Sequence, residues 1–213
     1  MKIKKNYPNK IAIFPLSSAV FFPRTILPLN IFEDRYMRMI ADCMKGERLF
    51  GMVQPKNRRD APTEVYQIGC LGKIISFNET VDKRFVISLS GIIRFRIKNE
   101  LDEDNLYRKF NVDYSEFLND LVEEKNQMPS FDRNSLLKKI KNYFQIIQYP
   151  IDHNELKKLN LEQLVSTVCM ISPFSVAEKQ KLIETIKIED KVKVIDEIIE
   201  FNLFKNQETE TIQ

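Results

Sequence analysis

Residues 84–100 read RFVISLSGIIRFRIKNE, and their pattern decides the fold. Phe85, Ile87 and Leu89 alternate with Val86, Ser88 and Ser90, the period-2 signature of a strand with one face buried. After Gly91 the alternation resumes, with Ile93, Phe95 and Ile97 set against Arg94, Arg96 and Lys98. A glycine at the break between two alternating runs is the device that bends a strand around a small barrel. Upstream, YQIGCLGKIISFNET (66–80) reads as the preceding strand, with NETVDK as the hairpin turn. Gly69 and Gly72 in that strand mark a bulge or a close backbone approach.

Further upstream, KIAIFPL (10–16) and TILPLNIF (25–32) are two more strands, each broken by a proline. Proline cannot donate to a ladder, so Pro15 and Pro28 mark strand ends or sheet edges. Asp34 opens a helix whose apolar stripe is Tyr36, Met37, Ile40, Ala41 and Met44, with Gly46 as a left-handed stop. RLFGMVQ (48–54) and YRKFNVDYSEF (107–117) supply the remaining strands. Beyond about residue 120 the period changes to that of helices. Leu136, Leu137, Ile140, Phe144 and Ile147 share one face, and Pro150 ends that segment. Asn160 with Gln163, and Ser175 with Glu178, form capping boxes. A last helix repeats Val192, Ile195, Ile199 and Leu203, followed by the polar tail NQETETIQ. Strands first and helices second is an α+β order. The boundaries are residues 1–119 for the β-rich part and 120–213 for the helical part.

Composition narrows the chemistry. The 213 residues carry a net charge of +3, one histidine, three scattered cysteines and five glycines. No CxxC pair and a lone His153 leave no zinc ligand set, so no metal or other cofactor is expected. Gly72-Lys73 is followed by Ile74 and lacks a glycine at position 67, so there is no phosphate loop. G-x-G and G-x-S-x-G are absent as well. The N-terminal apolar run is interrupted by Pro15, Pro23, Arg24 and Pro28, unlike a signal peptide. No run reaches the roughly 18 apolar residues of a membrane span, so a cytoplasmic protein without membrane contact is expected.

The ordered motifs of residues 13–40, IFPLSSAVFFPRTILPLNIFEDRYMRMI, resemble the N-terminal domain of the Lon (La) ATP-dependent protease family. They are Pro15-Leu16, Phe22-Pro23, Pro28-Leu29, Phe32 and Arg35-Tyr36. Gly69 in YQIGCLGKII and the Gly91-x-x-Arg94 strand extend the likeness. LVSTVCMISPFSVAEKQKLIET (164–185) extends it into the helical half. The resemblance implies a PUA-like, partly open β-barrel with one helix, followed by a helical bundle. It also implies a non-enzymatic module for proteolysis or quality control that binds unfolded or client polypeptides. The chain stops at Gln213, before an ATPase or a Ser-Lys protease module is expected to begin.

Phe14 and Phe32 are read as core. Phe21 and Phe22 in the first loop suit either the core or an exposed rim. With Pro23 and Arg24 they are the candidate protein-binding residues, beside an open barrel edge. The alternative is an RNA-binding face, because PUA-like barrels often bind RNA. It would use Arg94, Arg96 and Lys98 on one strand face, with Arg58 and Arg59 in a loop. The sequence names no client, ligand or oligomeric state.

Overall fold

The computed structural model describes residues 7–17, 19–56, 64–103, 105–122 and 132–211, with side chains to residue 204. The chain divides into two units, Met1–Val122 and Glu123–Gln213. The first holds strands β1 (Lys10–Pro15), β2 (Ile26–Ile31), β3 (Leu49–Val53), β4 (Ile68–Glu79), β5 (Phe85–Glu100) and β6 (Lys109–Asp113). Helix α1 (Asp34–Met44) lies between β2 and β3, and a 3-10 helix, Ser115–Leu121, follows β6. The sheet order is β2-β5-β4-β3-β1-β6, and β6 also pairs with β5. The ladder β5-β4-β3-β1-β6 therefore closes on itself, and β2 is left as a flap.

The long β5 makes this possible. Its first half, Phe85 to Ser90, pairs with β2, and its second half, Arg96 to Glu100, pairs with β6. At the junction stands Gly91. A Cβ there would lie 2.0 Å from the carbonyl oxygen of Phe22 and 3.1 Å from Pro23 Cα. The loop before β2 crosses β5 against bare backbone, and the Arg24 amide bonds the Gly91 carbonyl at 2.9 Å. The expected break at Gly91 is thus a close approach that no other residue allows.

Loop and barrel interior are one core. Phe21 and Phe22 are 2% and 0% exposed, and Pro23 is buried with them. Phe21 packs over Gly72, where a Cβ would come within 2.8 Å of its ring. Burying each phenylalanine contributes about 1.5–3 kcal/mol. Phe14 is also core, edge-on to Tyr36 with centroids 4.4 Å apart. Phe32 is not core: it is 63% exposed. In β2 the inward positions are Leu27, Leu29 and Ile31, and the strand's alternation carries Phe32 outward. Gly46 takes no left-handed conformation; Arg48, at φ 65°, does so after α1.

The sequence boundary at 119 shifts by three residues. Asp120 is fastened to Arg94 of β5, which keeps the 3-10 helix with the barrel. The second unit contains α2 (Arg133–Ile146), α3 (His153–Lys158), α4 (Leu161–Ile171), α5 (Val176–Glu184) and α6 (Ile188–Thr211). Both expected capping boxes form, at Asn160/Gln163 and Ser175/Glu178. Helix α3 was not foreseen: Asp152 caps it, and its short length hides any apolar period. The tail reading also changes, because α6 continues through Thr211. Leu136, Ile140, Phe144, Leu164, Val168, Leu182, Ile195 and Ile199 form this unit's core.

Candidate functional site

The β4–β5 hairpin extends beyond the closed part of the barrel as an arm. Strand β3 accompanies β4 only as far as Lys73. From Ser76 onward β4 pairs with β5 alone, through Ser76↔Ser88, Phe77↔Ile87, Asn78↔Val86 and Glu79↔Phe85. The Thr80 and Lys83 amides close the turn on Arg84 and Thr80 carbonyls, and Lys83 sits at φ 60°. Phe77 and Phe85 pair at 5.0 Å on the arm, both half-buried. The Arg84 guanidinium stands 5.9 Å over the ring of Phe32. At the tip Val81 is wholly exposed. Ile75 at the root of the arm is 53% exposed, beside a register shift between Ile74 and Ser76.

Proline sets which backbone groups of this flap are free. An antiparallel ladder alternates pairs that exchange two hydrogen bonds with pairs that exchange none. Pro28 has no N–H, so Pro28↔Ser88 is a non-bonded pair. Leu27, Leu29 and Ile31 therefore bond β5, and the odd residues of β5 face β2. The Gly91 amide bonding the Thr25 carbonyl at 2.9 Å keeps the same phase. The even residues Val86 and Ser88 face β4, where they meet Asn78 and Ser76. Phe77 and Glu79 consequently turn their amides and carbonyls outward. The Ile74 amide, in the same outward phase, is taken by the Arg48 carbonyl at 2.9 Å. Among the described residues nothing pairs with the outer side of Phe77 and Glu79.

The candidates from the sequence fare differently. Phe21, Phe22 and Pro23 are interior, so the exposed-rim reading of this loop is corrected: it lines the core across Gly91. Arg24, at φ 59°, reaches the other way and donates to the carbonyls of Asp120, at 2.9 Å, and Val122. Pro15 ends β1, and Leu16 continues it through a bond to the Val53 carbonyl at 2.9 Å. Arg35 pairs with Glu33 and lies 4.5 Å over Tyr36. Leu29 is buried beside the edge proline, and Gly69 would bring a Cβ within 2.3 Å of the Met52 carbonyl oxygen.

The basic strand face is also corrected. Arg94 is 4% exposed, not solvated. Its Nη2 donates to Asp120 Oδ1 at 2.7 Å, while its Nε and backbone amide both donate to Oδ2 at 2.9 Å. The guanidinium also lies 4.8 Å from the Phe117 ring centre. Arg96 pairs with Glu116 and Lys98 with Asp113. The Ser115 amide and Lys98 hold the Asp113 carboxyl down to about 2. The 3-10 helix thus brings a carboxylate to Arg94 and to Arg96, and the end of β6 brings one to Lys98. Arg58 and Arg59 lie outside the described residues.

Burial pushes the Cys43 thiol up to about 11 and the Cys169 thiol up to about 12, the opposite of nucleophile activation. Among the described residues no three His, Cys, Asp or Glu side chains converge as a metal site requires. No helix there is long and apolar enough to cross a membrane.

Residues 10–200 match the family model described as the ATP-dependent protease La (LON) substrate-binding domain. A Lon protease of Desulfosudis oleivorans is 28% identical over 199 residues, 88% of this chain and 23% of that protein. A Lon protease of Dictyoglomus thermophilum is 25% identical over 201 residues, 90% of this chain and 24% of its own length. The chain therefore spans about a quarter of these relatives. The solved N-terminal domain of Mycobacterium avium complex Lon protease superposes with a TM-score of 0.59 at 14% identity, covering 90% of this chain and 98% of that one. A Lon N-terminal domain protein from Xanthomonas campestris gives 0.59 at 18% identity, covering 87% and 96%. These likenesses in fold agree with the match over 191 of the 213 positions, and the chain belongs to the family of Lon (La) protease substrate-binding domains.

Proposed function

We propose that this protein is a non-enzymatic module that binds exposed apolar segments of unfolded or client polypeptides, in cytoplasmic proteolysis or quality control. The observation that carries the reading is the apolar display of the β4–β5 arm. Phe32, 63% exposed beneath the Arg84 guanidinium, and Val81 at the tip present apolar groups to solvent, and the half-buried Phe77–Phe85 pair lies on the opposite face. Apolar side chains left exposed around a projecting hairpin mark an interaction surface. The family's character as a substrate-binding domain supports the same reading. Contacts of this kind bind many sequences weakly, because they demand little exact complementarity.

The test is capture of a reduced, carboxymethylated, permanently unfolded protein by photo-crosslinking. A Phe32→Ser, Val81→Ser double variant should capture about tenfold less, the loss expected from two apolar contacts. Leu118→Ser, which removes an exposed apolar group from the 3-10 helix, should capture like the parent. Undiminished capture by the arm variant would overturn the assignment.

A further inference from the structure

We propose that the outer edge of β4 at Phe77 and Glu79 accepts one extended segment of a client polypeptide as an added strand. The segment would carry an apolar residue opposite Phe77 and a basic residue opposite Glu79. This inference rests on the polypeptide-binding reading above and deepens it.

Three observations carry it. Phe77 and Glu79 each turn an amide and a carbonyl outward, with no partner among the described residues. Main-chain groups of this kind give strand addition its affinity without regard to sequence. The flap's other edge, β2, is closed to the same use, because Pro28 removes the middle of its three outward donors. Finally, side chains beside the open edge match the proposed segment. Phe77 and Glu79 lie on the same face of β4. Phe77, backed by Phe85, offers an apolar surface, and Glu79 has no ion-pair partner among the described residues.

A second copy of this chain is a poorer occupant. Two β4 edges laid antiparallel would set Phe77 opposite Glu79, an aromatic ring against a carboxylate. A ladder two residues long also buries far less than the roughly 1,200 Å² of a stable interface. A short, weak ladder suits a transient client.

The experiment uses the whole chain and a nine-residue acetylated peptide of alternating leucine and threonine, with one leucine replaced by lysine. Binding is read by fluorescence anisotropy and amide hydrogen exchange. The peptide should slow exchange at the Phe77 and Glu79 amides and leave Ser76 and Asn78 unchanged. N-methylation at the leucine and lysine amides that face β4 should weaken binding about tenfold, whereas N-methylation at the threonines should not. Glu79→Pro should mimic Pro28 and weaken binding similarly. The N-methyl series decides the matter even if that variant folds poorly. Binding indifferent to every N-methyl group, with no protection at Phe77 and Glu79, overturns strand addition while the binding module stands. Concentration-dependent protection of those two amides without peptide overturns the client in favour of a second copy. Undiminished capture of the unfolded protein by the Phe32→Ser, Val81→Ser variant, with peptide protection of Phe77 and Glu79 intact, overturns the apolar contacts of the arm while strand addition stands.

Discussion

At the scale of single residues, two glycines and one buried ion pair organise the barrel. Gly91 lets Phe22 and Pro23 cross β5 in contact with its backbone, and Phe21 fills the space above Gly72. Arg94 and Asp120 form a buried pair with guanidinium–carboxylate hydrogen bonds of 2.7 and 2.9 Å. Removing one partner strands a charge in the interior, so Arg94→Ala should cost about 3–5 kcal/mol in urea unfolding. The Arg94→Leu, Asp120→Leu double variant should be far less destabilised than the sum of its single variants. Strict additivity would show the pair to be uncoupled. Arg94 also marks where reading the sequence stopped. Alternation placed it on the outward face correctly, but an outward face is solvated only if nothing covers it. The cover is a 3-10 helix whose Asp120 lies 26 positions downstream, with no local signal tying the two. Phe21 and Phe22 were ambiguous for the same reason: a loop residue's burial depends on what the loop crosses.

At the scale of elements, the β2 edge is a guarded one. Its outward positions are Ile26, Pro28 and Asn30, and the proline interrupts the row of donors that another strand would need. Pro28→Thr restores that donor on a strand with a 61%-exposed isoleucine. The variant should self-associate with rising concentration, read by sedimentation velocity at concentrations where the parent stays unchanged. Its stability loss should be modest, about 0.4–1 kcal/mol, from greater freedom of the unfolded chain. An unaltered sedimentation profile would mean the proline guards nothing. Most elements were legible because each carries its own punctuation: prolines at 15 and 28, capping boxes at Asn160 and Ser175, alternation in β5. Phe32 was misread for want of phase. One residue past β2, it belongs to the outward set, and apolar character alone does not reveal which face a position occupies.

At the scale of the whole molecule, charge is dispersed and internally matched. A net charge of +3 is small for 213 residues, and Arg94, Arg96 and Lys98 each face a carboxylate. Nucleic-acid affinity rises with the number of phosphates neutralised by available cations. The protein should therefore show no retention of a generic single-stranded RNA in filter binding at 50 mM salt. Retention that collapses at moderate salt would revive the RNA reading. The fold class was open to sequence reasoning because it follows from the order of periodicities, strands before helices. The open edge was not, because which amides a strand leaves free depends on a ladder's phase, fixed here by Pro28 and its partner Ser88. The Arg24 clamp carries one more consequence. Its guanidinium grips the carbonyls of Asp120 and Val122, so the last turn of the barrel unit is stitched to the first loop. Tension applied to the chain beyond Val122 should load that stitch and the Arg94 anchor before it reaches β6. Pulled from this end, the barrel should hold until both arginine contacts give way, and Arg24→Ala should lower the rupture force in single-molecule pulling.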